Sequence, residues 1–170
     1  MKYVAKEPSV MFVVFTALAL GAAPPSAQDD RTAVAAARAG GETNDYTRSV
    51  ARPYQEVLAA VKEAAKSHGF RVSNVHDIAT SLRKDGIERE PYATVEVCNS
   101  KLAAQVLRAE PRLGAVMPCR IAVYQNGDKT VVTMILPSRL MALFPPQPEV
   151  KEAAAQVDRA MKAIIDTATH

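Results

Sequence analysis

Between Ala93 and Cys98 apolar and polar side chains alternate, with Ala93, Val95 and Val97 set against Thr94, Glu96 and Cys98. A period of two is the mark of a strand with one buried face. Similar alternation runs through Cys119–Gln125 and Asp128–Leu136. Asn126-Gly127 between them predicts a two-residue hairpin, because both central residues of a type I′ turn need positive φ. Elsewhere the period is helical. Val57, Leu58, Val61, Ala65 and His68 share one face after Pro53, and Gly69 follows as a stop. Leu102, Ala103, Val106 and Leu107 form a second stripe, capped by Asn99 or Ser100 and ended by Pro111. Val150, Ala154, Val157, Met161 and Ile164 mark a third over Glu149–Thr167. Short strands at Tyr46–Val50 and from Phe70 through Val72, with one turn near Ala79–Lys84 closed by Gly86, complete the order β-α-β-(turn)-β-α-β-β-α. This order predicts an α+β fold: a two-layer sandwich of a mixed sheet with helices packed on one face.

The register of the hairpin assigns faces. With Gln125 opposite Asp128, Cys119 falls opposite Met134 and shares the apolar face with Ile121, Val123, Thr130 and Val132. Cys98 falls on the face opposite Val95 and Val97. Parity therefore argues against a bridge between Cys98 and Cys119.

The N-terminal pattern differs. Lys2 and Lys6 precede an apolar run from Val10 to Ala23, followed by small residues and prolines up to Ala27. That run is shorter than the roughly 20 apolar residues a membrane span needs, so 1–27 is expected to be a cleaved signal peptide. The expected location is then periplasmic or secreted, with no stable membrane insertion after cleavage. Gln28–Asp45, rich in Ala, Gly, Asp and Arg, is expected to be a flexible linker. A single domain is expected over 46–170.

Composition narrows the partners. The chain of 170 residues has 21 Lys and Arg against 18 Asp and Glu, no tryptophan and only four phenylalanines. No basic run or stacking platform is present, so no nucleic-acid partner is expected. There is no G-x-S-x-G elbow, phosphate loop, G-x-G-x-x-G or H-E-x-x-H. Chemistry centres on Cys98 and Cys119, the only cysteines. They are too far apart for a C-x-x-C motif or a zinc ribbon. Three states suit an exported pair: small buried hydrophobes, a structural disulfide, or a metal, haem or redox-active thiol site. His68, His76 and His170 are the only imidazoles, and Glu96 is the one acid placed mid-strand.

Val97-Cys98-Asn99-Ser100 with Leu102-Ala103 and Leu107, then Met117-Pro118-Cys119-Arg120-Ile121-Ala122-Val123-Tyr124, resembles the motif pair of the domain of unknown function 302 family. The resemblance covers roughly Tyr46 to Phe144. It implies a compact α+β domain that dimerises, and no established biochemical activity. Ser100 stands where the family's Cys-Asn-Pro segment has proline. One branch of the family carries other residues at the positions of Cys98 and Cys119, which points to a pocket with a variable lining.

The expectation is an exported, non-enzymatic binding or interaction domain, homodimeric, with a small-molecule or metal site at Cys98, Asn99, Pro118, Cys119 and Arg120. No cofactor is named by the sequence. The alternative is a thiol-dependent redox protein or enzyme using Cys98, which needs a base or cation such as Arg120 beside the thiol. The apolar Leu140–Phe144 run is expected to meet a dimer partner or to close over a pocket.

Overall fold

The structure is a computed structural model that describes residues 43–170; the expected signal peptide at 1–27 and the segment 28–42 lie outside the described residues. The period-two segments become strands β1 (Asp45–Val50), β2 (Arg71–Asp77), β3 (Tyr92–Cys98), β4 (Cys119–Asn126) and β5 (Lys129–Ile135). The helical stripes become α1 (Tyr54–Ser67), α3 (Ser100–Ala109) and α5 (Pro148–Thr169), joined by two short helices, α2 (Ile78–Lys84) and α4 (Pro137–Met141). A 3₁₀ segment, Pro111–Val116, precedes β4.

Among the described residues the strands form one sheet in the order β1-β5-β4-β3-β2. Every ladder is antiparallel, so the expected mixed sheet is corrected in this detail. The two-layer α+β arrangement stands. Ala93, Val95, Val97, Ile121, Val123, Val132 and Met134 face α1 and α5. Met161, Ile164 and Ile165 of α5 are fully buried there. Each such side chain contributes about 1.5–3 kcal/mol. A smaller apolar cluster unites Val106 of α3, Leu113, Met141 of α4, and Val150, Ala153 and Ala154 at the start of α5. The Tyr46 hydroxyl donates to the Asp166 carboxylate at 2.8 Å, fastening β1 to α5.

The hairpin departs from expectation by one step. Its central residues are Gly127 and Asp128, with Asn126 paired to Lys129 and Gln125 to Thr130. Within the turn only Gly127 takes positive φ, +62°, and among the described residues no residue other than glycine does so. A turn that requires positive φ only at its first central residue, as type II′ does, spares Asn126 the steric cost a side chain incurs there. Gln125 Nε2 donates to Gly127 O at 2.8 Å and closes the turn. The register moves by two residues, so faces are preserved. Cys119 stays on the face of Ile121, Val123 and Val132, but Ile121 rather than Cys119 is level with Met134. Thr130 on this face is fully buried, and its hydroxyl donates to Arg52 O at 2.7 Å.

The expected turn at Ala79–Lys84 is a seven-residue helix. Asp77 starts it, accepting from Thr80 N at 2.8 Å and Thr80 Oγ1 at 2.9 Å. No helix among the described residues is long and apolar enough to cross a membrane.

Candidate functional site

Three strand ends meet at one end of the sheet. β3 finishes at Cys98, β4 begins at Cys119 and β5 finishes at Ile135. Past these ends lie α3, the 3₁₀ segment and α4. The elements enclose a cavity of about 440 Å³. Its lining is mainly apolar, and it lies where the two apolar clusters adjoin: Val97, Met134 and Val157 come from the larger, Val106, Met117 and Met141 from the smaller. The chain crosses from one to the other at Met117-Pro118-Cys119, through a cis peptide bond before Pro118.

All five residues singled out in the sequence line this cavity: Cys98, Asn99, Pro118, Cys119 and Arg120. Their chemistry differs. Asn99 caps α3, its Oδ1 accepting from Lys101 N at 3.1 Å and Leu102 N at 3.2 Å. Its Nδ2 donates to Gly69 O at 3.2 Å, so both ends of the amide are held by backbone. Arg120 lies across the ladder from Glu96, and Arg120 Nε is 3.3 Å from Glu96 Oε1. Glu96, the mid-strand acid, is thus an ion-pair partner, and the cation is shared.

Cys98 and Cys119 are both unbridged and half-buried. Burial pushes the Cys119 thiol up to about 11, with further elevation from the thiol of Cys98 and the carboxylate of Asp158. At neutral pH Cys119 is therefore protonated. Parity sets the two cysteines on opposite faces, and the cavity reaches both, its lining combining Thr94, Ala122 and Thr133 of the outer face with Val97 and Met134 of the core face.

Sequence reasoning missed Met134, Thr94 and Thr133, which share the lining and come from separate strands that meet only in the fold. Met117, in the motif before Pro118, and Met141, in the apolar Leu140–Phe144 run expected at a pocket or a dimer contact, also line it. Leu140 and Met141 also line the cavity, while Leu143 projects outward, 75% exposed. The Phe144 ring lies under Arg112, whose guanidinium carbon is 5.9 Å from the ring centre.

Two of the three imidazoles are engaged elsewhere, with His68 Nε2 3.1 Å from Thr167 Oγ1 and His76 Nε2 3.1 Å from Ser81 Oγ. Asp77 caps α2. No group of three His, Cys, Asp or Glu residues suited to a metal occurs among the described residues.

An α+β domain with a thiol-containing cavity at the end of an antiparallel sheet is the class these observations define. The family described as "Domain of unknown function DUF302" matches residues 46–168, and the chain belongs to that family. An uncharacterized protein of Aquifex aeolicus (strain VF5) is 30% identical over 117 residues, covering 66% of this chain and 75% of the relative. The crystal structure of an uncharacterized conserved DUF302 protein from Bacillus stearothermophilus is similar with a TM-score of 0.70 and 29% identity. That match covers 74% of this chain and 98% of the other.

Proposed function

We propose that this protein is an exported, non-enzymatic binding domain that holds a small ligand in the cavity at the end of its sheet and works as a homodimer. The observation that carries the reading is the cavity. At about 440 Å³ it falls within the roughly 300–1,000 Å³ range of small-molecule sites. Its apolar walls, with Thr94, Thr133 and Arg120 among them, match the usual design of much hydrophobic surface and a few orienting polar groups. The short basic start and apolar run before Ala27 support export. Leu143, 75% exposed, and Ile135, 48% exposed, support contact with a second copy.

The alternative, a thiol-dependent redox protein or enzyme using Cys98, draws on the two unbridged thiols in one cavity. One feature favours binding over it: Arg120, the cation that a reactive Cys98 thiol would need, is already shared with Glu96.

An environment-sensitive apolar dye tests the binding reading on the full chain. It should bind with one-to-one stoichiometry. Ala103→Phe, which places a ring into the cavity from α3, should abolish binding while leaving the circular dichroism unchanged. Dye binding that survives Ala103→Phe removes the cavity as the site. Native mass measurement should give a dimer, and N-terminal sequencing from a secreting host should begin close to Gln28.

A further inference from the structure

Six sulfur-bearing residues lie within 43–170: Cys98, Met117, Cys119, Met134, Met141 and Met161. All but Met161 line the one cavity. They reach it from five separate places: the end of β3, the turn before β4, the start of β4, the end of β5, and α4. A cavity that needed only apolar walls would be served as well by leucine, which supplies two of its lining residues, Leu102 and Leu140. The rest of the lining is equally informative. It contains no aspartate, glutamate or histidine, and its nitrogen and oxygen groups are confined to Thr94, Thr133, Asn99, Arg120 and the backbone. Asn99 is held by its capping bonds and Arg120 by Glu96.

Thiolates and thioethers are soft donors that suit Cu(I), zinc and iron–sulfur clusters, whereas Mg, Ca and Mn want carboxylate or carbonyl oxygens. Zinc takes four ligands from cysteine, histidine and carboxylate, and the lining supplies only two of these, both cysteines, so thioethers beside two thiols favour Cu(I). We propose that the cavity is a site for a soft monovalent metal ion, Cu(I), ligated by the Cys98 and Cys119 sulfurs with a methionine thioether, from Met117 or Met134, completing the set. This rests on the reading of the cavity as a binding site and names its occupant. The step balances without electron transfer: Cu(I) enters, two S–H bonds yield two Cu–S bonds, and two protons leave to solvent. The resulting complex carries one negative charge. Soft coordination also explains how a site can exist without any cluster of three His, Cys, Asp or Glu among the described residues.

The test uses the reduced full chain under anaerobic conditions, with Cu(I) in competition against bicinchoninate and Ag(I) as a redox-inert parallel. One equivalent of each ion should be retained, X-ray absorption should show sulfur as the only ligand type, and Zn(II) should not compete. Second-shell changes at metal sites cost about 10–100-fold, so loss of a ligand in Cys98→Ser or Cys119→Ser should weaken Cu(I) binding by at least about 100-fold. Cys119→Ala serves if the serine variant unfolds, with circular dichroism as the check. Met117→Leu and Met134→Leu together should weaken it less. Surrender of all Cu(I) to the chelator, an affinity indifferent to either cysteine variant, or nitrogen and oxygen ligation overturns the proposal. If Cu(I) is not held while the apolar dye binds and Ala103→Phe expels it, the metal proposal falls and the binding reading stands. If neither is held, both fall.

Discussion

Replacing Asn99 by alanine separates a structural from a ligand-binding role at a residue that lines the cavity. The side chain makes three bonds to backbone: two accepted at the start of α3, at 3.1 and 3.2 Å, and one donated to Gly69 O at 3.2 Å. Loss of an N-cap costs about 0.5–2 kcal/mol. Loss of the bond to Gly69 adds about 0.5–1.5 kcal/mol. Asn99→Ala should therefore destabilise by about 1–3.5 kcal/mol. Asn99→Asp keeps the acceptor and places a negative charge at a helix N-terminus, so it should cost only the Gly69 share. Urea unfolding followed by circular dichroism reads both. With a slope of about 1–3 kcal/mol/M, the alanine variant's midpoint should fall by the order of 1 M. The dye affinity of folded Asn99→Ala should stay near that of the parent. A variant as stable as the parent that no longer binds dye would refute the reasoning and make Asn99 a ligand-binding group.

Three other outcomes are expected. Gly127→Val should cost about 1 kcal/mol or more, because φ is +62° while nothing lies within 4 Å of an added Cβ, so the penalty is purely backbone; Gly127→Asn should cost less, and Asn126→Ala, at a residue without positive φ, should be near neutral in the same urea melts. The Arg112 side chain, helped by its backbone N–H, lowers Glu110 from 4.5 to about 2, so this carboxylate's stabilisation is complete above pH 4.5 and is lost as pH falls towards 2; Glu110→Gln should flatten that acid limb of stability against pH. Burial raises Cys119 from 9.0 to about 11, so the protonated thiol favours the native state below pH 9 and that advantage disappears as pH rises to about 11; peptide mapping after iodoacetamide should show native-state labelling of Cys119 still climbing above pH 9, and a plateau at lower pH would contradict its burial.

Legibility in the sequence followed the range over which the physics acts. The alternation Ala93, Val95, Val97 and the stripe Val150, Ala154, Val157, Met161, Ile164 each lie within one element, and all eight residues are buried as expected. Strand direction depends on pairing between distant segments, and so the antiparallel sheet was not readable from local periods. The hairpin turned on which of Asn126, Gly127 and Asp128 takes positive φ, a choice of local geometry that several turn types satisfy. Its two-residue shift left every side chain on its expected face, and the parity of Cys98 and Cys119 survived. The cavity was legible only around its two motifs. Met134 and Met141 carry no spacing relative to Cys98, because they arrive from β5 and α4 through tertiary packing.

The helix α5 has a consequence for how the molecule breathes. Its 22 residues extend about 33 Å, and it supplies Val150, Ala153 and Ala154 to the smaller cluster and Val157 through Ala168 to the larger. One rigid rod thus joins two packed bodies, and the cavity lies along the joint. The smaller body is only partly sheltered: α3 keeps Val106 buried but leaves Leu107 exposed, and α4 is five residues long. On the proposed binding reading, a guest molecule would enter by a transient loosening of α3 and α4, while the sheet and the C-terminal half of α5 stay packed. Once inside it would touch both bodies and act as mortar between them, so occupancy would register as slowed hydrogen exchange in α3 and α4, elements well away from the distal end of the sheet.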